Sequence, residues 1–161
     1  MPRKQKKYRL KFPSQSDNLE IIRDAVSRIA EKAGFDENNI NMIELAVDEA
    51  CANVVNHAFQ ESGSQPINIE ITVGAKKFII VVSDRGKGFD LQKLRKPDMK
   101  EYISSKRVGG LGIHIIQTLM DEVQFHSESG KGTHVRMVKL IKNERIASKA
   151  SKVKSKTAQN E

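Results

Sequence analysis

The stretch from Ile67 to Val82 leaves the chain few choices. Ile67, Ile69, Ile71 and Val73 alternate with polar residues, Gly74 to Lys77 interrupts the pattern, and Phe78 to Val82 is a continuous apolar run. Two such runs around a glycine turn predict a β-hairpin. A two-stranded hairpin alone is marginal in water, so the rest of the chain has to complete it. Upstream, Tyr8, Leu10 and Phe12 alternate with basic residues as far as Pro13, which predicts a short first strand. After the cap-like segment Ser14 to Asp17, residues Leu19, Ile22, Val26, Ile29 and Ala33 recur at helical spacing and Gly34 supplies a stop. A second helix is predicted from Asp36 to about Phe59. Downstream, Leu111 to Val123 reads as a third helix and Gln124 to Ile141 as a strand pair around another glycine turn.

A chain of 161 residues suits one domain with one core. Its 38% hydrophobic and 30% charged residues describe a globular protein with polar additions. No apolar run approaches the roughly 20 residues of a membrane helix. The basic start lacks the apolar stretch of a signal peptide, so a cytoplasmic protein without a membrane partner is expected. The single cysteine, Cys51, is expected to be a small apolar filler in a helix. The formal charge of +8 sits at the ends: residues 1–11 carry six Lys/Arg and no acids, and residues 142–161 carry six Lys/Arg and two acids. Between them, residues 12–141 hold 16 bases and 18 acids. Nucleic acid is therefore a partner only through the basic termini, if at all, and solvated arms are the plainer reading.

The second helix carries polar chemistry on one edge. At about 100° per residue, Ile40, Ile43, Val47, Ala50 and Val54 form a core-facing stripe. Glu49, Asn53 and His57 stack at i, i+4, i+8 beside it, while Asp48 points elsewhere. A Glu can take a proton from a hydroxyl while a neutral Asn oxygen ligates a hard cation. Such pairs are far more often plain helix surface, and His57 more often an edge histidine.

Glycines then cluster in three places. Asp84 emerges at the end of the hairpin's second strand and is followed by Arg85-Gly86-Lys87-Gly88-Phe89. Glycine lets a flat ligand approach the backbone, and an ionised Asp accepts hydrogen bonds only, which suits an exocyclic amine. A tight turn would explain this segment alone. Lys106 and Arg107 precede Gly109-Gly110-Leu111-Gly112, which runs into the third helix, where backbone N–H groups bind anions. Thr133 follows Gly132 at the start of the last strand. Residues 91–110 have no apolar period, and a connection of that length inside a compact domain is usually functional or disordered. No Walker pattern occurs, and the glycines lack the preceding strand of a Rossmann fingerprint.

With Glu44 to Phe59 as its N box and the three glycine segments as its glycine boxes, residues 8–141 resemble the GHKL ATPase family. Within it they are most similar to the small bacterial anti-sigma-factor serine kinases of the RsbW and SpoIIAB type. The resemblance implies an α+β two-layer sandwich, the Bergerat fold, with helices on one face of a mixed β-sheet. It implies a basic arm over 1–7, an ATP-binding kinase domain over 8–141 with a lid at about 91–110, and a basic disordered tail over 142–161. ATP and Mg²⁺ are the implied cofactors. Asp84 would receive the adenine amine with Thr133 in support, and Gly86, Gly88 and Phe89 would border the base. Lys106, Gly109, Gly110, Leu111 and Gly112 would surround the phosphates, with His57 at the same pocket. Asn53 would hold Mg²⁺, Glu49 would act as general base on a protein serine, and Arg107 would stabilise the γ-phosphate.

The implied function is an anti-sigma regulatory factor that binds a sigma factor and phosphorylates a STAS-domain anti-anti-sigma protein, as a homodimer. An ATP-gated binding module without kinase activity is the alternative. The catalytic half of a split histidine kinase is disfavoured, because no dimerisation helix pair with a phosphoacceptor His precedes the domain.

Overall fold

A computed structural model describes residues 4–15, 17–58, 66–85, 110–128 and 132–142. In chain order they form β1 (Lys6–Pro13), α1 (Asn18–Ala33), α2 (Glu37–Ala58), β2 (Pro66–Val73), β3 (Lys77–Ser83), α3 (Gly110–Leu119), β4 (Glu122–Glu128) and β5 (Gly132–Leu140). The strands make one five-stranded sheet in the order β1-β2-β3-β5-β4.

Each neighbouring pair is antiparallel, so the sheet is not mixed. The reason lies in the path after β3. The chain leaves through α3 and returns as β4 in the direction of β3, but β5 folds back from β4 into the gap between them. A parallel crossover is thereby split by an antiparallel strand, and no two parallel strands touch.

Alternation decides which side of the sheet is covered. Ile67, Ile69 and Ile71 of β2, Phe78, Ile80 and Val82 of β3, and Val135 and Met137 of β5 are buried in one cluster with Ile22 and Val26 of α1, Ile43 and Val47 of α2, and Ile116 of α3. All three helices therefore lie on one face, which is the two-layer α+β sandwich. Burying each such side chain contributes about 1.5–3 kcal/mol, enough to hold both hairpins on the helices. Phe35, just past α1, adds an edge-to-face contact with Phe78 at 5.4 Å between ring centres. The run Phe78–Val82, continuous in sequence, divides between faces: Ile79 and Val81 are half-buried on the open side.

The helix ends follow local chemistry, with two corrections. Gly34 adopts φ 100°, and the N–H groups of Gly34 and Phe35 return to the carbonyls of Glu31 and Ala30, closing α1. Asp36 Oδ1 accepts the Asn39 backbone N–H at 2.8 Å and opens α2. The cap-like segment before α1, in contrast, gives no side-chain cap at Asp17. Asn18 reaches back instead, Nδ2 donating to the Pro13 carbonyl at 3.0 Å. The third helix, expected to run to Val123, stops at Leu119, and Glu122 already pairs with Val138 in the sheet. Tertiary bonds override the helical pattern there: Lys139 Nζ donates to the Leu119 carbonyl at 2.6 Å and Asp121 N to the Val138 carbonyl at 2.9 Å. At the N-terminus β1 begins at Lys6, inside the stretch expected to be an arm. No helix among the described residues is long and apolar enough to cross a membrane.

Candidate functional site

The stripe expected on α2 is buried at Ile43, Val47, Ala50 and Val54, with Ile40 packed partly against the core. That fixes the rotation of the helix and splits two adjacent carboxylates. Asp48 turns to α1, where Arg23 Nη1 donates to its Oδ2 at 3.0 Å. Glu49 turns to α3. A Cβ built on Gly112 would lie 2.7 Å from Glu49 Oε2, 3.5 Å from Asn53 Nδ2 and 3.7 Å from Asn53 Oδ1. Glu49, Asn53 and the first turn of α3 thus meet at one place. Both polar side chains are half-buried. Burial raises the Glu49 carboxyl above its ordinary range, and the neighbouring Asp48 charge adds to the rise. A half-buried carboxylate with a raised pKa is a better proton acceptor than a solvated one.

Cys51, on the same helix, is buried, and burial pushes its thiol up to about 12. It has no thiolate to offer at neutral pH and serves as core filler.

A second group forms where β3 ends and β5 begins. Asp84 N donates to the Thr133 carbonyl at 3.0 Å, which extends the β3–β5 ladder by one residue beyond Ser83 and His134. Gly132 sits at φ 92°, and a Cβ there would lie 2.2 Å from the Asp84 carbonyl oxygen and 2.9 Å from Arg85 Cα. Only glycine fits so close to another backbone at that φ. Thr133 is buried, and its hydroxyl lies 3.0 Å from the Ser127 hydroxyl of β4. Ser127 Oγ is also 3.4 Å from the Gly132 carbonyl. Sequence reasoning missed Ser127. Its only signal is register, since Ser127 and Thr133 are direct cross-strand partners.

These residues fit the implied nucleotide. The Gly132 cradle holds a carboxylate-bearing strand end beside a hydroxyl pair of which Thr133 is buried, and the Glu49–Asn53 edge offers carboxylate and carboxamide oxygens of the kind hard cations take. Gly110 and Leu111 form the start of α3. Gly86, Gly88, Phe89, Lys106, Arg107 and Gly109 lie outside the described residues, as do the side chain of His57, the expected lid apart from Gly110, and the tail beyond Lys142. A cavity of about 480 Å³ elsewhere, on the open face of the sheet, is lined by Arg9, Lys11, Asn68, Glu70, Ser83 and His134 among others. It includes neither Glu49 nor Asp84, and its Arg9 is engaged with Glu70 at 3.2 Å.

Comparison with known proteins gives a consistent result. The profile of the histidine kinase-like ATPase domain matches residues 12–139. The chain is 34% identical over 142 residues to the serine-protein kinase RsbW of Bacillus subtilis, covering 85% of this chain and 87% of that one. It is 34% identical over 149 residues to the serine-protein kinase RsbW of Staphylococcus aureus, covering 89% and 92%. Among solved structures, the RsbU and RsbW domains of a Mycobacterium tuberculosis protein superpose with a TM-score of 0.61 at 17% identity. That match covers 84% of this chain and 32% of the larger one, and it speaks for the fold.

Proposed function

The chain belongs to the histidine kinase-like ATPase domain family, in the branch of the RsbW serine-protein kinases, and from that premise we propose that it phosphorylates a serine of a STAS-domain protein and sequesters a sigma factor. The observation that carries the reading is the Glu49–Asn53 pair, half-buried against Gly112 and separated from the Arg23–Asp48 ion pair on the neighbouring helix face.

When bound, ATP would supply the phosphoryl group and Mg²⁺ would neutralise charge on its oxygens. The chain supplies the rest. Asp84 accepts the exocyclic amine of the base, and the Ser127–Thr133 hydroxyl pair supports it. By the family resemblance, Gly86, Gly88 and Phe89 would border the base. Asn53 would hold the cation. By the same resemblance, Lys106, Arg107 and the backbone from Gly109 to Gly112 would hold the phosphates, with His57 at the same pocket. Glu49 accepts the proton of the attacking serine hydroxyl, so that its oxygen can form the new P–O bond as ADP departs. The raised Glu49 pKa favours that transfer, because the acceptor is closer in basicity to the group it deprotonates.

Partner choice follows from the product. A phosphoserine adds a charge of about −1.5 to −2 where the antagonist meets the kinase, which repels an acidic or apolar contact and frees the surface for the sigma factor. The protein acts in the cytoplasm as a homodimer.

Radiolabel transfer from ATP to a purified cognate STAS-domain protein tests the proposal. Proton abstraction is worth about 10²- to 10⁴-fold, so Glu49→Ala should remove that factor from the transfer rate while calorimetry shows ATP binding largely intact. Undiminished transfer by Glu49→Ala would take the base role away from Glu49. No transfer by the wild type, with ATP binding retained, would leave an ATP-gated binding module.

A further inference from the structure

Gly112 poses a question that backbone geometry does not answer. It lies within α3, a helix from Gly110 to Leu119, and positive φ among the described glycines is confined to Gly34 and Gly132. Its conformation is therefore open to any residue, and helix propensity favours alanine over glycine at such a position. It is also buried, so exposure to solvent does not explain the missing side chain. What remains is the space where Cβ would stand. That space is bounded by Glu49 Oε2 at 2.7 Å and by the Asn53 carboxamide at 3.5 and 3.7 Å.

From this geometry we infer that Gly112 is a positioning residue for Glu49: its bare Cα is the wall against which the carboxylate rests, and a methyl group there would push the carboxylate out of place. The inference rests on Glu49 being the base and adds to it a determinant on another helix. It also separates Gly112 from its glycine neighbours, because its absent side chain is matched to a protein carboxylate and not only to phosphates.

The nature of the contact predicts how the protein yields. A Cβ at 2.7 Å meets the far end of a flexible side chain, so Glu49 rotates away and the helices stay where they are. Gly112→Ala should then keep the fold, with a thermal midpoint equal to or above that of the wild type, while the proton acceptor is misplaced. A displacement of about 1 Å can cost on the order of 100-fold in rate.

Kinetic measurements on the full-length chain test this, using radiolabelled ATP and the STAS-domain phosphoacceptor on which Glu49→Ala has been compared with the wild type. Gly112→Ala should lower kcat by about 10- to 100-fold with the ATP KM changed less than about threefold. A raised KM with unchanged kcat would overturn the inference and assign Gly112 to the phosphates alone. Glu49→Asp, one methylene shorter, should lower kcat strongly beside Gly112 but much less in the Gly112→Ala background, where the shorter side chain clears the methyl. Additive losses in that cycle would remove the coupling. A spectroscopic measurement needs no phosphoacceptor: the carboxyl ¹³C resonance of Glu49 should move in Gly112→Ala, and an unmoved resonance would overturn the contact itself. Retained transfer by Glu49→Ala would instead overturn the base reading, so the two failures are distinguishable.

Discussion

The two ends of the candidate site are built on opposite tolerances. Where β5 starts, Gly132 faces the backbone of Asp84 and Arg85, with 2.2 Å between a hypothetical Cβ and the Asp84 carbonyl oxygen. Where α3 starts, Gly112 faces the tip of the Glu49 side chain at 2.7 Å. Backbone paired in a five-stranded sheet cannot move aside; a carboxylate on three torsions can. The strand end is therefore a fixed gauge suited to reading the shape of a base. The helix edge is adjustable, and the position of the Glu49 carboxylate is set by what presses on it.

Substitutions sharpen that contrast. At the fixed end Gly132→Ala should have the largest structural effect, because a Cβ at φ 92° adds left-handed strain to backbone overlap. Together these cost about 3 kcal/mol or more, to be read as a lowered urea midpoint with unchanged slope. An unchanged midpoint would show that the strand end gives way after all, and the two glycines would no longer differ in kind. Asp84→Asn keeps the shape but replaces an acceptor-only group. Calorimetry should show ATP affinity lower by about 10- to 100-fold, as expected for a hydrogen bond to a charged group, with stability little changed. Ser127→Ala removes one hydroxyl from the pair with Thr133, and the loss should be about 1 kcal/mol, near fivefold in ATP affinity. An effect as large as that of Asp84→Asn would make Ser127 a direct contact.

The smallest effect concerns the adjustable end and is seen only in the pH profile. Glu49 must be ionised to accept a proton, and its pKa is raised, first by burial and then by Asp48. Phosphoryl transfer should therefore fall as pH drops, with a midpoint above the ordinary glutamate range. Increasing the solvent exposure of Glu49 should move that midpoint down. A midpoint in the ordinary range would mean that the carboxylate already sits in water.

Much of this was legible in the sequence because it depends on near neighbours. The α2 stripe through Ile43, Val47, Ala50 and Val54 sets the helix rotation, and that rotation alone sends Asp48 and Glu49 to different helices. Gly34 ends α1 through its own backbone bonds, and the alternation in β2 marks its covered face. What the sequence hid depends on strands distant in the chain. The run Phe78–Val82 looks uniformly buried until β2 and β5 flank it and its odd and even residues face different layers. Leu111 to Val123 is helical by pattern, yet Lys139 and Val138 take the backbone groups that would have continued the helix. Ser127 carries no motif, and only register brings it to Thr133.

The bond from Lys139 to the Leu119 carbonyl has a mechanical meaning. The amine is buried with its strand and grips the last turn of α3, while the first turn carries Gly112. A rod clamped at one end can only pivot. At about 1.5 Å rise per residue, Gly112 stands roughly 10 Å from the clamp, so a tilt of about 5° carries it about 1 Å. That is the scale on which reacting groups lose alignment. The rigidity of one lysine on the far strand thus limits how far Gly112, at the other end of the helix, can wander.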